Sequence, residues 1–298
     1  MKTDRNKIIK MVLIIGIICI LVNGLTKVSR QHSLTLEDYA RQNPDIAYQE
    51  TAKAESVSGS DAGQNAPVLS TLPGAALNSS IPDEQRTLYS EGFYYEPLSE
   101  NLQRYITGIS YPAALISLDT ESAQNMDSLP NITYDDLRYV HIWHYDLDGA
   151  ATEGELICNQ AIAGDLTEIF YELYRNEYRI GQVRLIDEFN GDYAASMENN
   201  NTFCFYYQTP QENPSLSRHE YGLAVDINPL YNPCITYNTD GTEQILPASA
   251  ESYADRNRSF PYKIDENDLC YQLFKEHGFT WGGSFNSHKD YQHFQMPQ

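Results

Sequence analysis

The sequence predicts an α+β fold in which an antiparallel sheet is flanked by helices. Three observations carry that expectation. An Asp148-Gly149 turn joins two apolar runs in "YVHIWHYDLDGAATEGELICN", the pattern of a hairpin. Ile162, Leu166, Ile169, Phe170 and Leu173 recur at helical spacing and give one buried face. Strand-like and helix-like segments do not alternate regularly, as a parallel sheet with crossover helices would require.

The elements follow in order. Lys2, Arg5, Lys7 and Lys10 precede an apolar run over residues 11–22, a basic head and hydrophobic body that read as an export signal. The run is short for a spanning helix, which needs roughly 20 apolar residues. It reaches that length if Ile8, Ile9 and Leu25 are counted and Lys10 snorkels. No small-x-small cleavage site follows, so residues 1–25 read as an uncleaved membrane anchor, with a cleaved signal peptide as the alternative. The basic flank stays inside and the remainder lies outside the membrane. Residues 26–87, rich in Ser, Ala, Asp, Gln and Asn, lack periodicity and read as a flexible spacer. A folded domain is expected over residues 88–298, a single-domain length.

Within that domain, Asn159 is placed to cap a helix over residues 159–174. "QVRLIDEF" and "NTFCFYYQ" read as strands, and "HEYGLAVDI" ends in a short strand-like run. Residues 267–278 read as a capped helix closed by Gly278. "DYQHFQ" alternates as a strand does.

Composition narrows the function classes. The 298 residues carry 41 acidic against 20 basic side chains, a formal net charge of -21. Such a surface repels phosphate backbones, which excludes nucleic acid as the expected partner. Cys158, Cys204, Cys234 and Cys270 form no C-x-x-C pair, so a cysteine metal site is not expected. Disulfides and buried thiols both remain open for them.

Two segments hold residues suited to hydrolysis. A hydrolytic zinc site takes three His/Asp/Glu ligands and leaves a fourth position for water, with a carboxylate nearby to accept a proton. "SRHEYGLAVDINPLYNP" offers His219 and Asp226, and "KDYQHFQ" offers Asp290 and His293. Spacing alone leaves each with a plain alternative, a packed histidine or a strand-end charge. His141 and His144 are a poor metal pair, since strand positions three apart point to opposite faces.

The full string, Ser217-x-His219-x-x-Gly222-x-Ala224-x-Asp226 followed by Asp290-x-x-His293, resembles the D-alanyl-D-alanine metallopeptidases. That family includes vancomycin-resistance carboxypeptidases and dipeptidases, and L-alanyl-D-glutamate endopeptidases. The resemblance spans residues 135–298, and "GLAVDINPLYNP" with "GFTWGGSF…KDYQHF" is nearest the endopeptidase branch. It implies the zinc fold shared with hedgehog-type signalling domains, which are not peptidases, so fold alone does not carry catalysis. It implies a Zn2+ ion held by His219, Asp226 and His293, with Asp290 as the acid/base. The implied substrate is a peptidoglycan stem peptide. Ser217 would orient a ligand or touch substrate, or act only as a turn residue. Trp281 would line or support the cleft. Gln208 stands where relatives often carry a substrate-binding Arg, and Arg184 or Arg218 could supply the missing cation. The alternative is a zinc-bearing but inactive module that binds wall peptide or a partner.

Overall fold

The computed structural model describes residues 72–113, 132–207, 217–238 and 240–297. These all lie in one compact unit, Val68–Gln298. The anchor expected over residues 1–25 and most of the spacer fall outside the described residues, as does Gln208. Among the described residues no helix is long and apolar enough to cross a membrane.

The frame is a four-stranded antiparallel meander of β1 (Thr87–Ser90), β2 (Phe93–Pro97), β3 (Leu137–Tyr145) and β4 (Ala151–Asn159), hydrogen-bonded in that order. The predicted hairpin is the β3–β4 pair, nine residues on each side. Its turn is fixed by Asp146, whose Oδ1 accepts from the backbone N–H of Asp148 (3.0 Å) and Ala150 (2.8 Å). Side chains of alternating residues leave opposite faces, and here both faces are covered. Val140, Ile142, Leu156 and Cys158 pack with Ile162 and with Leu166, Ile169, Phe170 and Leu173 of α3 (Ala163–Arg175). Leu137, Tyr139 and Ile157 pack on the other side with Leu98, and with Leu102 and Ile106 of α2 (Glu100–Ile106). This two-sided burial explains why β3 reads as a nearly continuous apolar run rather than a clean alternation.

Folded structure reaches further back than residue 88. Helix α1 (Pro73–Asn78) precedes β1, with Leu72, Gly74 and Asn78 buried. Its first N–H groups have no partner inside the helix, and the carboxylate of Glu155 on β4 takes two of them. Gly74 N–H donates to Oε1 (3.1 Å) and Ala75 N–H to Oε2 (3.0 Å). Asn78 donates to Glu96 (2.8 Å), and its side-chain oxygen accepts from Ser99 N–H (2.6 Å). The expected spacer therefore ends earlier than residue 87. Its polar composition hid partners that lie far along the chain.

The remaining strands are short. A second sheet runs β10 (Thr280–Trp281), β12 (His293–Gln295), β7 (Ala224–Asp226), all antiparallel. A third runs β11 (His288–Asp290), β8 (Cys234–Tyr237), β9 (Glu243–Leu246). The run "DYQHFQ" is thus split: β11 pairs with β8 and β12 with β7, and Tyr291 and Gln292 make the step between sheets. A two-residue parallel pair joins β5 (Gln182–Val183) to β6 (Asn201–Thr202), and α4 (Tyr193–Glu198) lies between them in the chain. Helix α5 (Leu269–Glu276) begins at an Asp268 cap, and Gly278 at φ +85° follows it, as the sequence predicts. Mixed helices and antiparallel sheets make the fold α+β.

Among the described residues four cysteines are free thiols: Cys158, Cys204 and Cys270 are buried and Cys234 is partly so. His141 and His144 serve the frame. The Nδ1 atom of each hydrogen-bonds a backbone carbonyl, of Gly92 at 2.7 Å and of Ile180 at 3.0 Å.

Candidate metal centre

His219 sits on a single 3-10 turn, Arg218–Tyr221, which must be brought tightly against β4. Ser217 caps the turn, its Oγ accepting from His219 N–H at 3.3 Å. Gly222 ends it at φ +65°, where a Cβ would lie 2.7 Å from the backbone nitrogen of Asn159. Only glycine combines that backbone angle with that approach. In return Asn159 N–H donates to the Gly222 carbonyl at 2.8 Å, tying the turn to the frame. The chain then enters β7, which ends on Asp226. The β7–β12 register places His293 directly opposite Asp226.

Three ligand-type atoms converge as a result. His219 Nε2, Asp226 Oδ1 and His293 Nδ1 are separated by 3.0 to 3.2 Å. They form the group whose donor atoms lie within 4.8 Å of one another among the described residues. All three residues are buried.

The outward-facing atoms of the same groups are already engaged. His219 Nδ1 lies 2.6 Å from the Cys204 carbonyl, which can only accept, so the ring proton sits there and Nε2 keeps its lone pair. His293 Nε2 lies 3.0 Å from Gln295 Oε1, so in the neutral ring the His293 lone pair falls on Nδ1. Tyr193 Oη donates to Asp226 Oδ2 at 3.2 Å, leaving Oδ1 for the shared point. Hydrogen-bonded outer partners of this kind orient metal ligands. The donor set, two neutral imidazole nitrogens and one carboxylate oxygen, fits a divalent cation such as zinc.

The electrostatics agree. Burial alone would raise the Asp226 carboxyl, yet the charges and hydrogen bonds of His219 and His293 outweigh it and hold it well below the usual range. Burial opposes a charged His293, but its hydrogen bond to Asp226 and the charges of Asp226 and Asp290 lift it to about 9. The cluster therefore attracts positive charge strongly at its centre. Asp290, at the end of β11, is shifted upward by burial and then by the Asp226 charge. Its Oδ1 is buried without a hydrogen-bond partner. Gly282 lets Asp290 approach: a Cβ there would lie 2.8 Å from the Asp290 Cβ and 3.2 Å from the His293 Cβ.

Residues 211–296 match the family model for D-alanyl-D-alanine carboxypeptidase. That segment, under a third of the chain, is similar to that family. No curated protein and no solved structure matches the chain. The match supports a peptidase, and it spans His219, Asp226, Asp290 and His293.

Of the residues singled out in the carboxypeptidase-family motif, the structure thus brings His219, Asp226 and His293 to one point and places Ser217 as the cap of the His219 turn. Trp281 donates Nε1–H to the Tyr291 carbonyl (2.9 Å), bracing the step between β11 and β12. Arg184 lies 3.9 Å from Glu188, whereas the Arg218 guanidinium has no partner among the described residues. Two residues escaped the sequence reading, Tyr193 and Gln295. Gln295 carried a usable signal, because positions two apart on a strand share a face. Tyr193 carried none: Asp192 starts α4, accepting from Ala195 N–H at 2.9 Å, and only the tertiary fold aims the next ring at Asp226.

Proposed function

We propose that this chain is an exported zinc peptidase that hydrolyses a peptide bond in peptidoglycan stem peptides. The observation that carries the reading is the convergence of His219 Nε2, Asp226 Oδ1 and His293 Nδ1, each freed for a cation by a hydrogen bond to its other heteroatom. Zinc held by these atoms would supply Lewis-acid polarisation of the scissile carbonyl and acidify bound water. The residues perform the remainder. Asp290 has a buried, unpartnered oxygen and a carboxyl shifted toward its protonated form. It takes a proton from the attacking water and returns it to the leaving amine. Asp226, held ionised, fixes the charge of the site. Cys204, Gln295 and Tyr193 keep the two rings and the carboxylate from turning. Phe203 stacks on the His219 ring, with centroids 5.0 Å apart, and dries that side.

Export fits the substrate, since wall peptides lie outside the membrane. Residues 1–25 would hold the protein there as a single-pass anchor, and the spacer would lift the domain toward the wall. Cleavage of D-Ala-D-Ala and of L-Ala-D-Glu are both compatible with this site.

The test is to quantify metal in the purified full chain and to incubate it with stem peptides, beside Asp290→Asn. The expected outcome is one zinc per chain, product release, and a rate lower by roughly 100- to 10,000-fold in Asp290→Asn with zinc retained. Zinc without cleavage of any stem peptide would favour an inactive binding module. Absence of bound metal would sink the proposal.

A further inference from the structure

Cys234 is the first residue of β8, and the β8–β11 register sets it directly opposite Asp290, the last residue of β11. Residues directly opposite on an antiparallel pair send their side chains to the same face, with Cβ atoms about 4.5–5.5 Å apart. Strand pairing alone therefore carries the thiol to the carboxylate. The backbone there is held on every side. Tyr291 N–H donates to the Pro233 carbonyl at 3.3 Å, closing the ladder just past Asp290. Asn232, fully buried, donates to the carbonyls of Asn228 (3.2 Å) and Tyr262 (3.0 Å) and accepts from Ile264 N–H at 2.8 Å. On its other edge Cys234 pairs with Leu246 of β9.

The surroundings decide what this thiol can do. It is partly buried. Burial pushes its pKa up, and the charges of Asp290 and Asp226 and a hydrogen bond to Asp290 push it further. The proton thus stays on sulfur, and a protonated thiol is a donor rather than a nucleophile or a metal ligand. The convergence of ligand atoms agrees, since His219, Asp226 and His293 form that group without Cys234. Asp290 for its part is short of donors. Its Oδ1 is buried and unpartnered, and the cation next to it in the chain, Lys289, spends its Nζ on the Gly283 carbonyl at 3.1 Å.

We propose that Cys234 is a positioning residue for Asp290: its S–H donates to the carboxylate across the β8–β11 ladder and keeps the unpartnered Oδ1 free for the proton of the attacking water. A base held by a hydrogen bond of its own stays in productive geometry, and small misplacements cost rate steeply. A thiol suits the task because it is a weak donor. It orients the carboxylate without neutralising it, as an arginine at the same place would. This rests on the peptidase reading above and adds what holds its base.

Infrared spectra of the full chain read the contact directly, because the S–H stretch of a thiol that donates to a carboxylate is broadened and lowered against that of a free thiol. The Cys234 band is isolated as the difference between wild type and Cys234→Ser. The same difference taken in an Asp290→Ala background is expected to give a sharper band at higher frequency. Kinetics with stem peptides form the second arm. Cys234→Ala should lower kcat by roughly tenfold with KM little changed, the scale of one lost hydrogen bond, and Cys234→Ser, which keeps a donor, should restore most of it. A band unmoved by Asp290→Ala, or equal kcat in wild type and Cys234→Ala, would overturn the assignment. The two arms separate the proposal from the reading beneath it. A band that Asp290→Ala shifts, in a chain that cuts no stem peptide, keeps the contact and defeats the peptidase reading, whereas cleavage with an unmoved band does the reverse.

Discussion

The nitrogen that an imidazole commits to a carbonyl decides which nitrogen it can offer a metal. His219 and His293 use opposite atoms for this, Nδ1 toward Cys204 and Nε2 toward Gln295. Both rings therefore present a lone pair to the same point although they arrive from different elements. Removing an outer partner frees the ring or the carboxylate to turn and typically costs 10- to 100-fold in metal affinity. Gln295→Leu and Tyr193→Phe are each expected to weaken zinc by about that factor, measured by competition with a chromophoric chelator. Unchanged affinity in both would mean that the outer hydrogen bonds do not orient the ligands. At this scale the sequence was most readable, since His219, Asp226, Asp290 and His293 stand in a spaced motif. It was least readable at Tyr193, whose role depends on where α4 lies.

Elements follow the same division between what is local and what is not. The β3–β4 hairpin and α5 form from turn and cap signals within a few residues, and both were legible. "NTFCFYYQ" looked like one strand, but its backbone donors go separate ways. Phe205 N–H bonds Ile157, Tyr206 N–H bonds His219 and Tyr207 N–H bonds Ser110. No single partner strand accepts them, so only Asn201–Thr202 pairs in a ladder. "QVRLIDEF" likewise stops after Val183, because the Asn201 side chain takes over the backbone of Arg184 (2.9 Å to its N–H, 3.1 Å to its carbonyl). Residues 186–189 then coil into a 3-10 turn. Asn159 did not cap α3 directly; its Oδ1 accepts from Ala161 N–H at 3.0 Å, and the helix starts at Ala163. The His219 turn is the most sensitive element. Gly222→Ala meets both a left-handed φ, worth about 1–2 kcal/mol, and a backbone contact that cannot yield. The expected loss is about 2 kcal/mol or more of stability, with zinc affinity falling alongside it. A silent substitution in urea denaturation would show that the turn can move away from β4.

Taken whole, the molecule stores protons in its frame. Burial lifts the Glu155 carboxyl to about 7, against the hydrogen bonds from Gly74 and Tyr139 that pull it down. Burial lifts Asp187 to about 6 in the same way. Both folded-state values lie above those of the unfolded chain, so folding takes up protons in between. Their contribution is complete below about pH 4 and is lost as pH rises through 6 and 7. Repulsion within a chain of net charge -21 acts in the same direction. The informative quantity is therefore a difference in slope. Wild type is expected to lose more stability than Glu155→Gln between pH 5 and pH 7.5, by on the order of 2 kcal/mol. Parallel slopes in urea titrations at the two values would refute the assignment. None of this was visible in composition, because Glu155 is one acidic residue among 41 until α1 covers it.

The two β-systems differ in how readily they open. Each strand of the β3–β4 ladder has nine residues and is covered on both faces, while β7 and β12 have three apiece. Backbone amides of β3 and β4 should exchange with deuterium only at the rate of global unfolding, and those of β7 and β12 through smaller, more frequent openings. A cation shared by Asp226 and His293 would bridge this shorter pair of strands. Exchange at β7 and β12 should then slow as free zinc rises, by one factor of ten for each tenfold excess over the dissociation constant. Exchange in the hairpin should stay fixed until local opening becomes as rare as unfolding itself. The ratio of the two rates would make the protein its own gauge of metal occupancy, readable without any substrate.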